Sequence, residues 1–196
     1  MNTAKINIST KTQLIIGGVL LALMIATRGN LFSHMADASW AIFFMVGFYL
    51  RGDSLKKLAF PLFFLAAFVI DLIVIDAQGG VHYCFTPAYP FLIPAYAAMW
   101  FAGRWFANKY QENARGLVTF VASAIASVAV CFLISNAGFY LFAGKFEEMS
   151  VAQYVSSVAQ YLPGYLKTTA IYLGFASLVH LLISNSPAAN KEHAHS

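Results

Sequence analysis

Leu58-Ala-Phe-Pro-Leu-Phe-Phe-Leu-Ala-Ala-Phe-Val-Ile-Asp-Leu-Ile-Val-Ile75 is the stretch on which the fold turns: apolar throughout, with a single ionisable residue, Asp71. A helix needs about 20 apolar residues to cross about 30 Å of hydrocarbon, so this run reads as a membrane span. Five further runs lie on either side of it: Leu14 to Thr27, Ala38 to Leu50, Ala88 to Phe106, Leu117 to Phe142 and Leu162 to Ile183. Together they predict an all-α integral membrane protein of six transmembrane helices in one domain. Residues 1–13 form a cytoplasmic N-terminus, 14–183 the bundle and 184–196 a cytoplasmic tail. The second run is short for a span; it either begins nearer Phe32 or sits among its neighbours.

Composition agrees. Of 196 residues, 60% are hydrophobic and 10% charged, against about 25% charged in soluble domains. Such a chain cannot clothe a surface in water, and lipid is its solvent. The net charge of +4 does not point to nucleic acid, because the basic residues are scattered at span ends instead of forming a patch. Six spans leave no room for a separate soluble domain. Lys5 and Lys11 before the first apolar run imitate a secretory signal, but Arg28-Gly29-Asn30 follows with no small-x-small cleavage pattern, so the first helix is expected to be retained.

Orientation follows from where Lys and Arg fall. The N-terminus, the second and fourth connections and the tail hold nine of them, and the opposite side holds three, Arg28, Lys145 and Lys167. The excess belongs in the cytoplasm, which predicts both termini inside and the first, third and fifth connections outside.

Those outer connections carry the unusual residues. Asp71 lies about 20 Å along its helix at 1.5 Å per residue, in the outer half of the membrane. An ionisable group there costs about 2.5 to 3.5 kcal/mol, so it needs a partner, such as a Tyr or a backbone amide, or a watery pocket. The third connection, Asp76 to Tyr89, has no Lys or Arg; it combines Gly79-Gly80 with Pro87, Pro90 and Pro94, which disfavour regular helix. Irregular backbone at membrane depth is tolerated where it lines a cavity, so this loop is expected to fold over a pocket. Within it, Cys84 is flanked by His82, Tyr83 and Phe85, and Tyr89, Phe91, Tyr96 and Trp100 follow. A thiol in a solvent-reachable loop can ionise and serve as nucleophile or metal donor. Neither a CxxC nor a Cys/His cluster occurs, so a protein-only metal site is not expected; one thiolate could still ligate a metal already held by a macrocycle. Cys131, mid-helix among Val and Phe, reads as an inert apolar-type cysteine, and both thiols read as free.

Arg28, Asn30, His34 and Asp37 crowd the first outer connection, and Asn136 lies toward the outer end of the fifth helix; these cap helices or contact a polar ligand. His180 and the tail histidines read as solvated. In the fifth connection, Ser150 with Gln153 forms a capping-box pattern. Val151, Tyr154, Val155, Val158 and Tyr161 recur at helical spacing, which predicts an amphipathic helix that lies in the interface or closes over a ligand. Gly18, Ala22 and Ala26 form a small-residue stripe on the first helix, which serves either internal packing or docking of another protein. The fifth helix has similar stripes, Ala122 with Ala126 and Ser123 with Ser127.

With these residues in place, the chain resembles the BtuM family of small cobalamin transporters, which are similar to solitary substrate-binding S-components of energy-coupling factor transporters. The specific part of the likeness runs over the third and fourth helices and the segment Val81 to Tyr96. The resemblance implies an S-component-like bundle in the bacterial inner membrane that binds cobalamin (vitamin B12) from outside as substrate. Cys84 would be the axial cobalt ligand and Asp71 and Tyr89 its neighbours. Tyr83, Phe85, Arg28 and Asn136 complete the expected ligand-binding set. Cys84, Asp71 and Tyr89 would also carry any decyanation of cyanocobalamin. Gly18, Ala22 and Ala26 would match the face that docks an ATPase and coupling subunit; some members of the family stand alone, so the implied partners are cobalamin, the bilayer, and such a module or none. Two other classes stay open on the residues alone: a thiol enzyme with Cys84 as nucleophile, His82 as base and Asp71 as orienter, and a proton-coupled carrier titrating Asp71. The chain has no Walker-type phosphate loop, so ATP hydrolysis by that route is not its own.

Overall fold

The computed structural model describes residues 8–29, 31, 35–52, 55–77 and 86–184, and every regular element among them is helical. In chain order these are α1 (Thr10–Arg28), α2 (Ser39–Tyr49), α3 (Ala59–Ala77), a 3-10 turn (Tyr89–Phe91), α4 (Leu92–Lys109), α5 (Ala114–Phe142), α6 (Val151–Ala159) and α7 (Leu162–Ser184). All six apolar runs are therefore helices. Four of the helices, α1, α3, α5 and α7, are long and apolar enough to cross a membrane.

Caps move several boundaries away from the apolar runs. α1 starts at Thr10, four residues before Leu14, because Ser9 Oγ accepts the Thr12 N–H and carries the helix into the polar Lys11-Thr12-Gln13 turn. The expected N-terminal segment 1–13 is thus already helical in its last four residues. Asn113 does the same for α5 through the Gly116 N–H. α4 begins later than its run, after the 3-10 turn, since proline removes the N–H that a continuing helix needs.

The short second run sits among its neighbours. Nine of the 11 residues of α2 are buried, and α1, α3, α4 and α7 pack around it. Helices in lipid gain little from hydrophobic transfer and are held by close packing, which small residues permit. Here α2 and α4 cross on a reciprocal glycine pair. A Cβ on Gly47 would fall on the Trp100 carbonyl oxygen, and one on Gly103 on the Phe44 carbonyl oxygen. Around that crossing, Phe43 stacks on Tyr96 at 4.5 Å and Phe48 on Phe106 at 5.4 Å.

A recess opens at the start of α2, where Asp37 and Trp40 join its lining. At the opposite end, polar ties join the elements. Gln13 accepts the Gly52 N–H, and His180 meets Tyr49 through Nδ1 (3.3 Å) and Tyr110 through Nε2 (3.2 Å). The expectation of a solvated His180 is therefore corrected: α7 presses its ring between two tyrosines.

The small-residue stripe of α1 does not pack inside. Gly18 and Ala22 are exposed, and a Cβ on Gly18 would meet nothing within 4 Å. On α5 the stripes divide: Ser123 and Ser127 are buried, whereas Ala122 and Ala126 face outward beside Phe101 and Trp105 of α4.

Candidate ligand-binding site

The recess is a cavity of about 550 Å³ lined by α1, α3, α4, α5, α7 and the start of α2. Four of the residues expected at a site, Arg28, Asp71, Tyr89 and Asn136, come from separate stretches and all line it.

Arg28, the last residue of α1, organises its floor. Its Nε donates to Asp71 Oδ1 at 2.7 Å and its Nη2 to Asp71 Oδ2 at 2.6 Å, a two-pronged pair that fits the planar guanidinium to a carboxylate. Nη1 turns the other way and donates to Asp37 Oδ2 (3.1 Å), Ser39 Oγ (3.0 Å) and Tyr96 OH (2.9 Å). Ser39 in turn donates to Asp37 Oδ1 at 2.6 Å. Asp71 therefore has the partner its depth requires: the cation Arg28, which was not anticipated, beside the kind of tyrosine partner that was. Tyr89 adds a third donor, its OH reaching Asp71 Oδ2 at 2.8 Å. Burial first, and then the hydrogen bond to Asp71, push the Tyr89 phenol well above its ordinary value and keep it a donor.

The walls are aromatic. Trp40 and Tyr165 stack at 4.3 Å, Tyr96 and Phe139 stand nearby, and Tyr89 sits edge-on to Phe68. One face of α5 supplies Cys131, Ser135 and Phe139 at a spacing of four, with Asn136 beside them. Cys131 is buried, as an apolar-type cysteine should be, and it also forms part of the wall. Trp40, Tyr165 and the Cys131 face were not foreseen as site residues. The spacing on α5 was legible as one helix face; nothing in the sequence paired Trp40 with Tyr165. Conversely, Trp100 and Phe91 lie elsewhere: Trp100 carries the Arg104 guanidinium on its ring at 4.8 Å, and Phe91 packs on Phe142 and Gly138.

The expected amphipathic helix exists as α6, with both halves of the Ser150/Gln153 capping box formed. Tyr154 anchors it over the site, its OH donating to the main-chain oxygen of Asn136 at 3.2 Å and to Oδ1 at 3.3 Å. On its apolar face Val151 and Val155 stay exposed, by 62% and 53%, as for a helix lying in an interface.

Cys84, His82, Tyr83 and Phe85 lie outside the described residues, as do Asn30 and His34. Residues 78–85 join Ala77, at the end of α3, to Thr86, and both Ile75 and Thr86 line the cavity. Among the described residues no group of three or more His, Cys, Asp or Glu could hold a metal ion. No protein-family model and no curated protein matches the chain.

Proposed function

We propose that the chain is a six-span bundle of a bacterial inner membrane, with both termini in the cytoplasm, that binds cobalamin from the outer side and takes it up. The observation that carries this reading is the convergence of Arg28, Asp71, Tyr89 and Asn136 on one aromatic-walled recess. Covalent reach supports it further: Cys84 is two residues from Thr86 on the rim, and two residues extend at most about 7 Å. A flat macrocycle suits stacked aromatic walls, and its amide side chains suit Ser135, Asn136 and the phenols.

In this reading Cys84 supplies a thiolate to the corrin cobalt, displacing the nucleotide-loop base. A cysteine ordinarily ionises near pH 8.5, but coordination to the metal removes the proton without a neighbouring base. Electron donation from sulfur weakens the bond on the opposite face. Cyanide can then leave with its electron pair, cobalt remaining trivalent, which is the decyanating step. Asp71 and Tyr89 act as supports: the carboxylate is already held by three donors, which suits an anchor for the recess better than a carrier of protons. The face of Gly18 and Ala22, both exposed, with the half-buried Ala26 is available for a coupling subunit.

The decisive experiment adds cyanocobalamin to detergent-purified protein and records its visible spectrum. Wild type should co-purify with the corrinoid and shift its absorption, and Cys84→Ala should bind without the shift or fail to bind. A spectrum indifferent to Cys84 would refute the ligation.

A further inference from the structure

The end of the bundle away from the cavity is basic. Arg51, Lys56, Lys57, Arg104, Lys109 and Arg115 gather there, and among the described residues Glu112 is the acid at that end. Glu112 accepts from Tyr110, on the side facing α7. Two arginines meet on another face of α4. Arg51, just past α2, reaches Asn108 Oδ1 at 3.5 Å, and Arg104 lies one turn before Asn108 on the same face. The Arg104 guanidinium lies over the Trp100 ring and donates to the Lys56 carbonyl at 3.3 Å.

Both side chains are half-buried, yet the acceptors the described residues give them are a neutral amide and a neutral carbonyl. Arg28 at the other end, by contrast, has two carboxylates. A half-buried guanidinium offers five donors and loses hydration that a neutral acceptor does not replace. Arg51 bonds the residue one turn beyond Arg104 on α4, and burial first and the charge of Arg104 second hold the Arg51 guanidinium below its ordinary value. An anion between them would relieve both. At the end of a membrane bundle, the abundant anion at that depth is the lipid phosphate, and basic pockets between helices on the cytoplasmic side take such headgroups.

We propose that Arg51 and Arg104 jointly hold the phosphate of one anionic phospholipid, seated against α4 between the end of α2 and the turn at residues 55–58. The inference rests on the membrane reading of the chain and is independent of cobalamin, so each can fail alone.

Native mass spectrometry of the full chain, released from nanodiscs of equal phosphatidylglycerol and phosphatidylcholine, tests it. Wild type should retain one phosphatidylglycerol in preference to phosphatidylcholine. Arg51→Gln and Arg104→Gln should each lower its occupancy by about fivefold, whereas Lys109→Gln at the same end should not. Should a glutamine variant fail to fold, the lysine variant keeps the charge but loses the fork that spans two phosphate oxygens, and should still bind less than wild type. Equal retention of the two lipids, or an adduct that survives the double glutamine variant, would overturn the proposal. So would thermal stabilisation by inorganic phosphate in pure phosphatidylcholine discs that equals the effect of phosphatidylglycerol, because the source would then be the free anion.

Discussion

Removing both halves of the Arg28–Asp71 pair should cost clearly less than the sum of removing each alone. The pair is two-pronged at 2.7 and 2.6 Å, with side chains 10% and 20% exposed. Breaking a buried pair typically costs about 3 to 5 kcal/mol, chiefly because the remaining charge is stranded. In Asp71→Leu the guanidinium keeps Asp37, but that carboxylate is 44% exposed and compensates only in part, so the loss should be about 2 to 3 kcal/mol. Arg28→Met strands Asp71 and Asp37 together and opens the tie from α1 to α2 and α4, so it should cost at least as much as Asp71→Leu. The double variant Arg28→Met/Asp71→Leu leaves no cation and one half-exposed carboxylate. It should therefore recover about 2 kcal/mol of the summed single losses. Reversible unfolding of the reconstituted protein by a denaturing detergent reads all four corners of this cycle. Additivity to within about 0.5 kcal/mol would refute the argument, since independent sites add to that precision.

Other outcomes follow from the packing. Gly47→Ala and Gly103→Ala each place a methyl on a backbone oxygen that cannot swing away, so each should destabilise by at least the roughly 1 to 3 kcal/mol typical of overpacking, while Gly18→Ala should be neutral. Thermal unfolding in detergent separates them, and a Gly18→Ala loss as large as the others would contradict the crossing. Tyr154→Phe removes the hydroxyl tie of α6 to Asn136; amide exchange over residues 151–159 should accelerate while α5 stays protected, and uniform exchange across both helices would speak against the anchor. Tyr89 has a raised folded-state value, so the stability it contributes is complete below about pH 10, where an unfolded tyrosine begins to ionise, and is lost as the pH rises further. Tyr89→Phe should flatten that part of the stability profile, and an unchanged alkaline slope would exclude the bond to Asp71 as its source.

The sequence alone determined a good deal. Runs such as Leu58 to Ile75 are apolar enough that only a helix satisfies their backbone in lipid, and the Ser150/Gln153 box announced α6 because capping is local chemistry read over four residues. Asp71 could be marked as needing a partner, since an ionisable group in that run is costly wherever it points. Which partner it takes was a matter of tertiary structure: Arg28 lies 43 positions away and becomes its neighbour only when α1 and α3 pack side by side. The same holds for the Trp40–Tyr165 wall and for His180 between Tyr49 and Tyr110, which join helices remote along the chain. Local pattern fixes where a helix forms and which groups must be satisfied. The close approach that Gly47 and Gly103 allow between α2 and α4, and the packing of α1, α3, α5 and α7 beside them, decided which side chains face one another in the recess.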